Sequence, residues 1–453
     1  MARSACDDCE ADGPVCRRDT VRPYRRPFLI GVYLATNAIP DAVTIVDGPD
    51  CAFFKAEFIH GKHDLRSTLL DVTGRHRIVP TQVTTDDLAT SQGQQAAALV
   101  RRAAVQPDTG LVLLTAMPLV TITGVSHDGI ARELRPELPV DLVTVPARSL
   151  QGDWLAGYGD TLTALAHQLV ADEAVRDGAE DRRSASQPSV SIIGYFMDRN
   201  EEDHRANVAE LRRLVAGLGL PVDAVWLSGQ GWSELRRARR STTLVAFPLG
   251  RAAAAVIAAA TGARVVEIDP PLGLAATERF LRALGAATST ESRAAAFVDA
   301  ELARLVPRLE WLVPHRFLGK RVAFFGLPEL LAGFHELATD LGMEVTTVSC
   351  PAERPAWLDE GVVAALAVTF DVPPEVTARG WWQHGAPRPD LVIGDTDALE
   401  RVPPETPCVE LGFPGYSDHA LFERPFLGFR GALAFIQRMA TALGTTTGRM
   451  GRR

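Results

Sequence analysis

The sequence contains little cysteine for its length, with 6 in 453 residues. This number is too small for a disulfide scaffold, which small secreted domains build at much higher density. The six are unevenly placed: Cys6, Cys9 and Cys16 crowd the N-terminus, Cys51 follows, and Cys350 and Cys408 lie far along the chain. The distribution therefore predicts metal-binding, redox or core roles for these cysteines.

Long hydrophobic runs and the apolar core of a secretory signal are also missing. The most apolar helical stretch covers 252–260 and is far shorter than the roughly 20 residues that cross a bilayer. The N-terminal sequence MARSACDDCEADGPVCRRD has no apolar segment of the kind found in signal peptides. We therefore expect a cytoplasmic protein without a membrane span.

Positive charge is not in excess. The chain has 47 Lys and Arg against 56 Asp and Glu, which gives a formal net charge of −9. A basic run at 236–240 (RRARR) comes without any recognition motif. The sequence therefore predicts no nucleic-acid partner.

The common motifs for nucleotide binding and hydrolysis are absent as well. Gly157-Tyr158-Gly159, Gly217-Leu218-Gly219 and Gly229-Gln230-Gly231 each lack the third glycine of a dinucleotide-binding loop. There is no GxxxxGK[ST] loop, no GxSxG elbow and no HExxH pair. These absences argue against an isolated hydrolase, an NAD enzyme or an ATPase.

What the sequence does contain is a repeated order of short β-branched runs, turns and apolar-periodic helices. The runs are Val43–Val46, Leu111–Leu114, Val190–Ile193, Thr243–Ala246, Arg264–Ile268, Arg321–Phe325, Glu344–Val348 and Leu391–Ile393. Unalternating apolar strands separated by helices are typical of parallel sheets covered on both faces. The predicted fold class is α/β, with three Rossmann-like domains and mostly parallel sheets around a central crevice.

Composition places the predicted boundaries. The segment 172–188 (DEAVRDGAEDRRSASQP) is charged and then rich in Ser and Pro, which is typical of a linker. A recurrence of strand, glycine, helix, Leu-Gly and strand at 190–228 and 320–350 supports a second boundary near 313. We predict an N-terminal tail at 1–26, domain 1 at 27–172 carrying Cys51, a linker at 173–189, domain 2 at 190–313, domain 3 at 314–445 and a C-terminal tail at 446–453.

Cys51 follows a predicted strand and a tight Gly-Pro turn in VTIVDGPDCAFF, residues 43–54. A thiol there faces the crevice at the carboxyl end of a parallel sheet, where open α/β folds bind ligands. The alternative is an ordinary buried cysteine, which is common when the flanking residues are apolar.

Several further blocks, in order along the chain, accompany this turn. They are TTDDLATSQG at 84–93, LLTAMPLVTITG at 113–124, DPPLGLAATERFL at 269–281, the segment 318–350, PDLVIGD at 389–395 and GFPGYSDHALFERPFLGFRGA at 412–432. Together with the Cys51 turn they resemble the nitrogenase component 1 superfamily over roughly residues 27 to 440. The PLGLAAT block resembles the β-type subunits, and the position of the cofactor-binding cysteine of the α subunit falls close to Phe247.

The resemblance implies that cysteines bind an iron–sulfur cluster shared between an α-type and a β-type subunit, and thiolates suit iron–sulfur iron. Only one of the family's cysteine positions is retained here, as Cys51. Counting from the flanking motifs, the second falls near Val79 and the third near Met117 or Pro118. The retained turn is Gly-Pro-Asp-Cys, one residue shorter than the family's usual Gly-Pro-x-Gly-Cys. This pattern is nearest to the cofactor-scaffold β subunit and the chlorophyllide reductase β subunit, which implies a [4Fe-4S] cluster with three ligands from the partner.

Other candidate ligands are weaker. Asp50 could supply an oxygen ligand beside Cys51, although a solvated turn residue is the simpler interpretation. Cys6, Cys9 and Cys16 could bind a second metal centre, but CxxC lacks a fourth cysteine nearby and N-terminal segments are commonly mobile.

Two histidines are candidates for proton transfer. His63, in the segment HGKHD that follows the Cys51 helix, could relay protons, or lie on an exposed polar loop. His419 lies in the GFPGYSDH turn, which in the family faces the cluster side or the partner.

The resemblance implies a β-type subunit of a nitrogenase-like oxidoreductase, paired with an α-type subunit as a heterodimer or α2β2 complex. A separate MgATP-dependent iron–sulfur reductase would deliver electrons to the shared cluster. Two alternatives remain open: a scaffold for cofactor maturation, and a cluster-free descendant that binds a tetrapyrrole or a partner.

Overall fold

The computed structural model describes residues 25–88, 93–148, 150–171, 188–383 and 388–450. Cys6, Cys9 and Cys16 and most of the predicted linker lie outside these residues. In the described part of the chain, the strands form three separate sheets, and every strand pair within them is parallel.

The first sheet has four strands in the order β2-β1-β3-β4. These strands are β1 Ala42–Asp47, β2 Ile78–Pro80, β3 Leu111–Ala116 and β4 Asp141–Thr144. Thr44 of β1 lies opposite Leu113 of β3, and β3 is buried along its whole length. Burial on both faces explains why this strand shows no alternation of apolar and polar residues.

The second sheet also has four strands, in the order β6-β5-β7-β8. These strands are β5 Val190–Ile193, β6 Val222–Val225, β7 Thr243–Ala246 and β8 Arg264–Glu267. The two central strands, β5 and β7, are fully buried, whereas the edge strand β8 is exposed at both ends.

The third sheet has five strands in the order β11-β10-β9-β12-β13. These strands are β9 Arg321–Phe325, β10 Glu344–Cys350, β11 Thr369–Phe370, β12 Leu391–Gly394 and β13 Cys408–Glu410.

Helices connect the strands and cover the sheets. They are α1 Phe28–Asn37, α2 Ala52–Glu57, α3 Thr85–Leu88, α4 Gln94–Ala104, α5 Pro118–Thr121, α6 His127–Leu134, α7 Trp154–Ala171, α8 Glu202–Gly217, α9 Trp232–Leu235, α10 Arg251–Thr261, α11 Leu274–Thr288, α12 Glu291–Leu309, α13 Leu312–Arg316, α14 Leu331–Asp340, α15 Glu360–Leu366, α16 Pro374–Gln383, α17 Thr396–Leu399 and α18 Gly428–Met450. Short 3₁₀ turns cover 135–137, 236–240, 248–250 and 328–330. No helix among the described residues is long and apolar enough to cross a membrane.

The predicted recurrence of glycine after a helix is present. Gly219 follows α8 and Gly342 follows α14, with φ angles of 78° and 67°. Glycine adopts this left-handed conformation at little cost, so both helices end where the Leu-Gly pairs predict.

One large hydrophobic core joins the inner faces of all three sheets, and smaller clusters cover the outer faces. Ile45, Val112 and Leu142, for example, pack beneath α4 and α6 on the outer face of the first sheet. The predicted α/β class with parallel sheets is therefore confirmed. The carboxyl ends of strands from the second and third sheets face a common crevice.

Candidate functional site

Cys51 lies at the carboxyl end of a central strand of the first sheet. β1 ends at Asp47, Gly48-Pro49-Asp50 form the turn, and Cys51 is the N-cap of α2. The thiol is half-buried, and its carbon framework packs against the main core. Cys51 is therefore neither a fully buried core cysteine nor a fully exposed one.

Backbone and side-chain contacts from two neighbouring strands fix this turn. The Gly48 amide donates to Thr81 Oγ1 at 2.9 Å, and the Gln82 amide donates to the Gly48 carbonyl at 2.9 Å. A Cβ atom on Gly48 would lie 2.6 Å from Met117 Cγ. The glycine is therefore needed for close packing, and Met117 lies beside the cysteine turn.

The positions that the sequence assigns to lost cluster ligands lie on strands beside β1. Met117 and Pro118 follow β3, and Val79 lies in β2 opposite Ile45 of β1. None of these side chains offers a thiolate. Asp50 is exposed in the turn, as expected for a solvated turn residue.

A carboxylate–histidine pair at the same edge of the sheet was not expected from the sequence. Asp47 accepts a hydrogen bond from Thr81 Oγ1 at 2.9 Å, and its other oxygen lies 2.9 Å from His127 Nε2. Asp47 is buried. The sequence around Asp47 does not predict this pair, because its partner His127 lies far along the chain, in α6.

Tyr33 of α1 lies close to the cysteine turn. Its side chain is fully buried, and its hydroxyl has no hydrogen-bond partner among the described residues. Burial, and secondarily the charge of the neighbouring Cys51 thiolate, raise the pKa of Tyr33. The residue therefore presents a neutral hydroxyl with unused hydrogen-bonding capacity next to the thiol.

Exposed apolar side chains surround the cysteine turn. Phe54 in α2, Phe58 directly after it, Leu119 in α5 and Ile122 directly after it all have exposed side chains, and both helices follow strands of the first sheet. Exposed large apolar side chains on neighbouring helices are candidates for an interaction site.

His63 is fully buried instead of lying on an exposed loop. The Gly415 amide donates to its Nδ1 at 2.8 Å, while Nε2 lies 3.2 Å from the Asp198 carbonyl oxygen. Since a backbone amide only donates, Nδ1 accepts and the ring proton lies on Nε2. His63 thus joins residues from the first, second and third sheet regions.

Asp198, after β5, is the centre of this junction. One of its carboxylate oxygens lies 2.6 Å from His204 Nε2 and 3.8 Å from His63 Nε2. Burial alone would raise the pKa of Asp198, but the His204 and His63 rings outweigh it and hold the pKa well below its usual range. Burial alone would lower the pKa of His204, but Asp198 outweighs it and raises the pKa.

His419 takes part in a second contact between the same regions. Its Nδ1 lies 2.7 Å from Glu201 Oε1, and the Ala420 amide donates to Glu201 Oε2 at 2.8 Å. Arg199 pairs with Asp203 on the same segment. His63 and His419, the two histidines proposed from the sequence, thus contact neighbouring residues of one segment, 198–201. Neither of these contacts involves Cys51.

The crevice between the second and third sheets is almost filled by side chains. The cavity that remains measures about 30 Å³, which is room for about two water molecules. The polar and charged residues that line it are Tyr195, Asp198, Arg199, Asp203, His204, Glu329, Glu410 and Arg438. A tetrapyrrole or a large metal cofactor does not fit in this space.

Cys350 and Cys408, the other two cysteines that the structure describes, do not add to a metal site. Cys350 is fully buried in the core, and burial raises its pKa. Cys408 begins β13, and burial raises its pKa to about 11. Among the residues that the structure describes, no group of three or more His, Cys, Asp or Glu side chains is arranged to hold a metal ion.

Comparison with known proteins shows the family. The family model for nitrogenase component 1 type oxidoreductases matches residues 28–444. The chain is similar to the nitrogenase iron-iron protein beta chain of Rhodobacter capsulatus, with 22% identity over 94% of each chain. It is also similar to a subunit of the light-independent protochlorophyllide reductase of Heliobacterium modesticaldum, with 24% identity over 90% of this chain and 76% of that one.

A solved structure supports the fold. The structure "Nitrogenase Cp1 at pH 6.5" superposes with a TM-score of 0.78 over 96% of both chains, at 15% identity. At that identity the match shows the fold alone. The family match over most of the chain, together with the β-chain relatives, settles membership: the chain belongs to the nitrogenase component 1 type oxidoreductase family, on its β-type branch.

Proposed function

We propose that the chain is the β-type subunit of a nitrogenase-like oxidoreductase and supplies one ligand, Cys51, to an iron–sulfur cluster shared with an α-type subunit. The observation that carries this proposal is the half-buried Cys51 after the carboxyl end of β1, near the exposed side chains of Phe54, Phe58, Leu119 and Ile122, which we call the apolar rim. The described residues contain no other grouping able to complete a metal site. A cluster shared between two subunits needs ligands and a binding surface from both. This chain would supply one thiolate and the surface near it.

The local chemistry fits a cluster. A thiolate is the preferred ligand for iron–sulfur iron, and Tyr33, whose buried hydroxyl has no partner among the described residues, lies within electrostatic range of Cys51. A [4Fe-4S] cluster, with the remaining ligands from the partner, would supply low-potential electron transfer.

The filled crevice argues against a tetrapyrrole or a cofactor precursor bound between the second and third sheets. A cavity of about 30 Å³ leaves no space for a cofactor precursor or a tetrapyrrole in the crevice itself. Substrate binding is therefore proposed on the α-type side or between subunits. Electrons would come from a separate MgATP-dependent iron–sulfur reductase, because no phosphate-binding loop occurs in this sequence.

Iron content tests the assignment. The chain is purified anaerobically with its α-type partner, and iron per complex and the EPR spectrum of the reduced complex are measured for the wild type and Cys51→Ala. We expect the variant to lose cluster iron and the associated EPR signal while the two chains still co-purify.

Cys408→Ala is the matched control, since Cys408 is also partly buried but lies in the third sheet. It should retain wild-type iron. Equal iron in the wild type and Cys51→Ala would show that Cys51 is not a cluster ligand.

A further inference from the structure

A buried acidic side chain in the crevice is not used by the proposed function. Glu329 follows β9, in the 3₁₀ turn Pro328–Leu330, and its side chain lines the small cavity between the second and third sheets. It is 5% exposed, and Oε2 has no hydrogen-bond partner among the described residues.

The positive charges around this cavity are committed to other acids. Arg199 pairs with Asp203, Arg438 Nη2 donates to Asp418 Oδ2 at 2.6 Å, and His204 pairs with Asp198. The ionisable groups near Glu329 are Tyr158 of α7, Tyr195, Asp198, Arg199, Asp203 and His204 from the second sheet region, Asp269 after β8, Glu410 of β13 and Arg438 of α18.

An ionised, unpaired carboxylate is strongly disfavoured in such a place. Burial, and then the nearby negative charges of Asp269 and Asp198, raise the pKa of Glu329 to about 8. The neutral carboxyl therefore predominates at neutral pH, and its O–H needs an acceptor.

We infer that this cavity is a binding site for a proton and water, in which the neutral carboxyl of Glu329 donates its O–H to a water molecule shared with Asp198. The geometry supports this because both side chains line one cavity with room for about two waters. A water there satisfies the otherwise unpartnered Oε2 atom and links the carboxyl to the Asp198–His204 pair.

Such a site would store a proton inside a protein whose family carries out reductions, which consume protons together with electrons. That use rests on the proposed function. The presence of a proton on Glu329 does not depend on the proposed function. If Cys51 proved not to bind iron, this inference would still stand.

Infrared spectroscopy of the complete chain tests the inference. The C=O stretch of a protonated carboxyl group is recorded at pH 7 in H₂O and in D₂O for the wild type, Glu329→Gln and the control Glu344→Gln, whose parent residue is exposed at the start of β10. We expect a protonated-carboxyl band in the wild type and the control that shifts in D₂O, and its loss in Glu329→Gln.

A titration of the wild type alone provides a second measurement that does not depend on the variant folding. The band should disappear as pH rises through about 8. Absence of the band at pH 7, or its persistence in folded Glu329→Gln, would overturn the proton site. A band that never shifts in D₂O would overturn the shared water.

Discussion

At the scale of single residues, the buried hydroxyl of Tyr33 is a polar group whose hydrogen bonding is not satisfied within the described chain. It has no partner among the described residues, and it lies within electrostatic range of the partly buried Cys51. Leaving a buried polar group unsatisfied costs about 1–3 kcal/mol. The unsatisfied Tyr33 hydroxyl therefore lowers the stability of the chain until a hydrogen-bond partner is supplied.

Tyr33→Phe should stabilise the chain in isolation, by about 1 kcal/mol, because it removes an unsatisfied hydroxyl and keeps the ring. The midpoint of urea unfolding measures the change. The control is Tyr158→Phe, which should destabilise, since the Tyr158 hydroxyl donates to the Tyr195 carbonyl at 2.9 Å and accepts from the Met197 amide. An equal loss of stability in both variants would show that the Tyr33 hydroxyl does have a hydrogen-bond partner.

Some residues of the site could be predicted from the sequence and others could not. Cys51 was placed correctly at the end of a strand because its turn residues, Gly48 and Pro49, are local signals. The burial of His63 was missed, since it depends on Gly415 and Asp198, which lie far away in sequence. A single sequence gives no measure of such long-range contacts.

At the scale of elements, the central strands were predicted almost to the residue, as in Val190–Ile193 and Arg321–Phe325. They are buried on both faces, so their apolar runs are continuous. The short edge strands Ile78–Pro80, Asp141–Thr144 and Thr369–Phe370 were missed. Such strands bury less side-chain surface and carry too few residues for a pattern to emerge.

The crossing of α1 and α7 depends on glycine. A Cβ on Gly157 of α7 would lie 2.1 Å from the Phe28 carbonyl oxygen of α1, and one on Gly31 would lie 1.7 Å from the Trp154 carbonyl oxygen. The backbones of the two helices are therefore in direct contact, and α1 precedes β1, the strand that leads to the Cys51 turn.

Gly157→Ala should destabilise the protein by at least about 2 kcal/mol, because the clash is with backbone atoms that cannot rotate away. Gly159→Ala, on the same helix, is the matched control. Its Cβ would meet the Leu249 carbonyl oxygen at 3.5 Å, an ordinary contact, and alanine favours a helix by up to about 1 kcal/mol. Thermal unfolding of both variants measures the difference, and a Gly157→Ala protein as stable as Gly159→Ala would contradict the close crossing.

At the scale of the whole molecule, the Asp198 junction holds the three sheet regions together and makes stability depend on pH. The pKa of Asp198 is lowered on folding, so its contribution is present above about pH 4 and is lost as pH falls through its folded pKa. The pKa of His204 is raised, so its contribution is complete below about pH 6.5 and is lost as pH rises through its folded pKa. The pair is at full strength between these two limits.

Asp198→Asn should lower stability most strongly between about pH 4 and 6.5, by about 3–5 kcal/mol, because His204 would be left buried without its counter-charge. Thermal unfolding midpoints across the pH range measure the difference from the wild type. Asp160→Asn, which breaks the partly exposed pair with Arg148, should cost no more than about 1 kcal/mol. If Asp198→Asn lost the same stability at every pH, the ion pair between Asp198 and His204 would be contradicted.

The apolar rim around Cys51 predicts a binding surface for the α-type partner. Phe54→Asp should leave the isolated chain folded, since Phe54 is 65% exposed, but should reduce the amount of partner that co-purifies, because a charge would be buried in the interface. Leu318→Asp is matched in exposure, also 65%, and lies between α13 and β9. Equal partner recovery with both variants would place the interface elsewhere.

The hydrogen bond from the Gly415 amide to His63 also bears on how the chain is made. These residues are separated by 352 positions. At a synthesis rate of 5–20 residues per second, roughly 20 to 70 s pass between their appearance. During that interval His63 lacks the Gly415 amide, so this contact between the first and third sheet regions forms only near the end of translation.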